Sequence, residues 1–138
     1  MTELQTNAYT ILSGVSGVTG GVYYGEMTET AEGSVTTYPY SVFEFLSSPH
    51  QGQDTNSDTR IAKIQVDTIG GSGVAFNTIA DGFKSALETS SNWSLTAHRM
   101  ISRRSIEDFR KGPFPIPSED NEKLWQLTQQ FTIEFEEI

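Results

Sequence analysis

Gly70-Gly71-Ser72-Gly73 stands between a strand pattern and a helix pattern, the position at which backbone N–H groups cradle phosphates. It lacks the Gly-Lys-Ser/Thr ending of a phosphate loop and the spacing of a dinucleotide fingerprint. A turn with glycine-type dihedrals and a helix cap is the plainer reading. His50 and His98 have no second ligand at helical or strand spacing, which argues against a metal. Serine and aspartate are plentiful, yet no Gly-x-Ser-x-Gly elbow supports a hydrolytic triad. Glu136 and Glu137 are adjacent in a strand pattern, so they point to opposite sides and cannot share a substrate. Asn92-Trp93-Ser94 matches a glycosylation sequon, which has no bearing without secretion. The expectation is therefore no catalytic residue, no metal and no cofactor, with function residing in architecture and surface.

The elements that would carry such a surface start from a hairpin and a helix. Tyr38-Pro39-Tyr40-Ser41-Val42-Phe43-Glu44-Phe45-Leu46 reads as one strand and Arg60 to Thr68 as the next. Ala62, Ile64 and Val66 alternate with Lys63, Gln65 and Asp67, the period-two mark of a strand with one buried face. Beyond the glycines, Phe76, Ile79, Ala80, Phe83, Ala86 and Leu87 form one helical stripe. A second helix opens the chain, with Leu4, Ala8, Ile11, Leu12 and Val15 on one face, a Thr2/Gln5 capping box, and Gly14 and Gly17 at its end. Val22-Tyr23-Tyr24 is a short strand. Trp93 to Arg103 reads as another, with His98 to Ile101 breaking the alternation as a bulge would.

The stretch from Arg104 to Glu122 reads as a long, stiff connection, because Pro113, Pro115 and Pro117 recur at every second position. The last strand is the longest. Trp125, Leu127, Phe131, Ile133 and Phe135 share a face interrupted by Gln129, and its length suits a central strand pairing on both sides. Residues 26–37 and 47–58 read as polar loops, the second a projecting arm carrying Asp54 and Asp58. The expected fold is α+β: a mostly antiparallel β-sheet with two helices packed on one face, in a single domain over residues 1–138.

Charge and burial then point outward. The chain has 18 acidic and 9 basic residues, a net charge of −9, and its first basic residue is Arg60. Arg103, Arg104, Arg110 and Lys111 crowd one stretch, while Glu134, Glu136 and Glu137 close the chain. Such segregation suits either a solvated loop that favours solubility or contact between copies, basic stretch against acidic edge. An acidic chain is a poor match for tight nucleic-acid binding. The hairpin strand carries apolar residues on both faces, Tyr40, Val42 and Leu46 on one and Phe43 and Phe45 on the other. Either the proline-rich stretch covers the second of these faces, or Phe43 and Phe45 join the charged residues as candidates for a subunit interface. With no cysteine, no leader pattern and no long apolar run, a soluble cytosolic protein away from membranes is expected.

The order of elements, with the Tyr-Pro-Tyr-Ser-Val-Phe-Glu-Phe-Leu strand and Arg-Ile-Ala-Lys-Ile-Gln-Val-Asp after a polar arm, resembles the tail completion or tail terminator proteins of long-tailed bacteriophages. Ala80, Phe83 and Leu87 on the following helix extend the likeness, which covers nearly the whole chain. The Arg103 to Asn121 stretch is longer than the family's usual connection. The resemblance implies a subunit of a homo-oligomeric ring, commonly of six, in the tail-neck region of a virion assembled in the host cytoplasm. Its partners would be the tail tube protein and the head-tail connector or neck proteins. Genomic DNA would pass through the lumen without specific binding. In such a ring the arm bearing Asp54 and Asp58 would line the lumen or touch the next component. A neck, head-closure or tail-tube ring protein is the nearest alternative; a small cytosolic enzyme or ligand-binding domain is the rival from another class.

Overall fold

A computed structural model describes residues 3–25, 38–46, 59–71, 73–96, 98–100, 107–116 and 124–137. Within them the chain runs α1 (Glu3–Ser13), β1 (Val22–Tyr24), β2 (Tyr40–Phe45), β3 (Thr59–Gly71), α2 (Phe76–Glu88), β4 (His98–Met100), β5 (Glu107–Ile116) and β6 (Leu124–Glu137). The fold is α+β with a mostly antiparallel sheet. Strands follow the order β1-β2-β3-β6-β4, and β5 also pairs with β6. The β1–β2 pair is parallel; the other pairs are antiparallel.

The sheet is built on β3 and β6, which pair from Thr59↔Glu136 to Gly71↔Leu124 without interruption. Directly opposed residues share a face. The register therefore puts Ala62, Ile64 and Val66 with Ile133, Phe131 and Gln129 on one side, and Lys63, Gln65 and Asp67 with Thr132, Gln130 and Thr128 on the other. The first side joins Phe43 of β2, Leu4, Ala8, Ile11 and Leu12 of α1, and Ile79, Phe83 and Leu87 of α2 in one core cluster. A smaller cluster unites Phe76 and Ala80 of α2 with Leu127. The polar pair on this face is satisfied: Ser41 and Thr68 are buried with their hydroxyls 2.8 Å apart. Gly82 of α2 faces the segment just beyond α1, since a Cβ there would come within 2.9 Å of Val15 Cγ1.

Three sequence expectations are corrected. The strand expected over Trp93 to Arg103 shrinks to His98–Met100 in the described residues. The side chains of α1 take the role of a neighbouring strand for the segment before it. Ser94 N donates to Asn7 Oδ1 at 2.7 Å, Asn7 Nδ2 donates to Ser94 O at 3.2 Å, and Thr96 N and Oγ1 both donate to Glu3 Oε1. Trp93 is buried against Phe135, its Nε1 donating to Leu87 O at 2.8 Å. Second, Gly70 and Gly71 belong to β3 rather than to a turn, because their partners Trp125 and Leu124 extend the ladder to its end.

Third, the proline-rich stretch is largely a strand. β5 pairs with β6 from Glu107↔Thr132 to Ile116↔Leu124 and lies far along the sheet from β2, so it does not cover the second face of the hairpin strand. A bulge separates Lys111↔Thr128 from Phe114↔Gln126: three steps on β5 match two on β6. Gly112 sits in that bulge with φ +104°, and a Cβ there would lie 2.7 Å from Gln126 O. The extra residue reverses the alternation, so Phe114 emerges on the same face as Phe109.

Phe83→Ala should destabilise the protein by roughly 3–5 kcal/mol, because the fully buried ring leaves a cavity between helix and sheet. Urea unfolding monitored by circular dichroism measures it, and a loss under ~1 kcal/mol would contradict this packing. Gly112→Ala should cost about 1–3 kcal/mol through backbone strain at positive φ, with amide exchange accelerating first at Phe114 and Ile116.

Candidate functional site

The face of the sheet opposite the core cluster is a band of polar side chains contributed by alternate residues of β3 and β6. Gln130 Nε2 donates to Gln65 Oε1 at 3.1 Å, and Gln65 Nε2 donates to Asp67 Oδ2 at 3.1 Å. Asp67 Oδ1 accepts from Thr128 Oγ1 at 2.7 Å, and Gln126 Nε2 reaches Thr128 Oγ1 at 3.4 Å. The band thus satisfies much of its own hydrogen-bonding capacity across the two strands. At the β5 end it gives way to Phe109 and Phe114, exposed by 59% and 58%. Beside Phe109 lies a shallow hollow of about 250 Å³ lined by Lys63, Phe109, Gln130, Phe131 and Thr132.

The other face of β5 carries a charged cluster turned toward α2. Arg110 donates from Nε and Nη2 to Asp108 Oδ2 at 2.9 and 2.7 Å, and from Nη2 to Asp81 Oδ1 of α2 at 2.7 Å. Asp108 Oδ1 accepts from Gln129 Nε2 at 2.9 Å, and the same amide donates to Ala80 O at 3.1 Å. Hydrogen bonding to Asp108 is the main cause holding the Arg110 guanidinium above its ordinary pKa; burial opposes it and Asp81 adds to it. Gln129, which interrupts the apolar stripe of β6, is therefore the point at which β6, β5 and α2 are tied together. A buried amide needs partners, and that need was the signal in the sequence for Asp108, which spacing alone did not reveal.

The residues expected to form a subunit interface do not gather in one place. Phe43 is fully buried in the core, and Phe45 is half-buried against it, so neither offers a free side chain to a neighbour. The physical reason is register: both share a face with Val66 and Ile64. Arg110 is engaged within the subunit by Asp108 and Asp81. Lys111 is exposed on the outer face, opposite Thr128, and Glu134 is exposed farther along β6. Glu136 and Glu137 lie at the end of β6, where Arg99 and His98 of β4 are their backbone partners. Arg103, Arg104, Asp54 and Asp58 fall outside the described residues. Among the described residues no group of three or more His, Asp or Glu is placed to hold a metal ion, and no helix is long and apolar enough to cross a membrane.

No family model matches the chain, and no curated protein does. A solved chain whose description states no function is similar to it, with 12% identity over 100% of this chain and 96% of that one, at a TM-score of 0.48. Similarity at that level says nothing of function.

The cluster around Arg110 separates two kinds of ion pair. Asp108→Ala should cost about 3 kcal/mol, because Asp108 is nearly inaccessible and its loss strands both Arg110 and Gln129. Asp81→Ala should cost no more than about 1 kcal/mol, since Asp81 is 71% exposed and screened by water. Equal losses in urea unfolding would mean that the exposed tie to α2 carries as much stability as the buried tie within the sheet.

Proposed function

We propose that this protein is a structural subunit of a phage virion, forming a ring at the head-proximal end of the tail. There it terminates tail-tube polymerisation and joins the tail to the head. The observation that supports this reading best is the pair of exposed rings, Phe109 and Phe114, standing on the outer sheet face beside the polar band and the cation of Lys111. Large apolar side chains held outward by a bulge, rather than folded into the core, are what a contact surface needs. The polar band suits the rim of such a contact, where water remains. The sequence resemblance supplies the partners: further copies of the chain, the tail tube protein and a head-tail connector or neck protein, with genomic DNA passing through the lumen. A neck, head-closure or tail-tube ring is the nearest alternative within the same class.

One observation favours a ligand-binding domain instead. The hollow beside Phe109 combines an aromatic wall with the ammonium of Lys63, the amide of Gln130 and the hydroxyl of Thr132. At about 250 Å³ it lies just below the ordinary range of small-molecule sites, about 300–1,000 Å³. It is open along the sheet face, and the ring-forming reading accounts for the same side chains without a ligand.

Sedimentation and negative-stain imaging of the purified protein test the proposal. Rings or closed oligomers are expected, and association should weaken as salt rises, most steeply below ~0.15 M where screening lengths exceed ~8 Å. A strictly monomeric protein at the highest attainable concentration would overturn it.

A further inference from the structure

We draw no further inference here: the strongest candidate, the aromatic surface patch of Phe109 and Phe114 on the outer face of β5 with the shallow hollow beside it, belongs to the site already described, and nothing among the described residues shows what covers it.

Discussion

The uninterrupted pairing of β3 with β6 is the constraint on which the other parts depend. With Thr59 to Gly71 opposed to Glu136 to Leu124, one register decides which side of every strand in the sheet is wet and which is dry. A slip of one residue would turn Ile64, Val66 and Phe131 outward and Lys63, Gln65 and Gln130 inward, so the hydrophobic contrast between the faces locks the register. β2 and β5 inherit their facing from that ladder, and the helices pack where it leaves apolar side chains. The outer polar band is its other product, since Gln65, Asp67, Thr128 and Gln130 come within hydrogen-bonding reach only in this alignment.

Where local pattern and tertiary environment agree, the sequence was a sufficient guide. The stripe of α2 from Phe76 to Leu87, the four buried positions of α1, the three residues of β1 and the central place of β6 follow from periodicity and length. β5 was hidden because Pro113 and Pro115 argue against a strand locally, while the opportunity to pair with β6 is a property of the whole sheet. Trp93 to Leu95 misled in the other direction. Their alternation is real, but Asn7 and Glu3 of a distant helix satisfy the neighbouring backbone in place of a strand.

The candidate site was legible only in outline. Composition and charge order pointed to contact between copies, and the aromatic side chains exposed in the structure are not the ones that the sequence singled out for it. Phe43 and Phe45 look like surplus on a strand seen alone; beside Ile64 and Val66 they are core. Arg110 looked like a member of a free basic run, whereas two aspartates, one of them 27 residues after the other in the chain, hold it inside the subunit. Phe109 and Phe114 differ in parity along the sequence, and only the bulge at Gly112 brings them to the same face. A feature that depends on one inserted residue in one strand cannot be read from periodicity.

The two prolines in β5 have a consequence for how the protein behaves in bulk. A strand of ten residues with no second partner strand among the described residues is a template on which another chain can add its own backbone, and such addition has no natural end. Pro113 and Pro115 have no N–H to donate, so the distal half of this margin is deficient as a template. Addition of a further backbone along that half of the strand is therefore disfavoured, although Phe109 and Phe114 of the same strand are exposed.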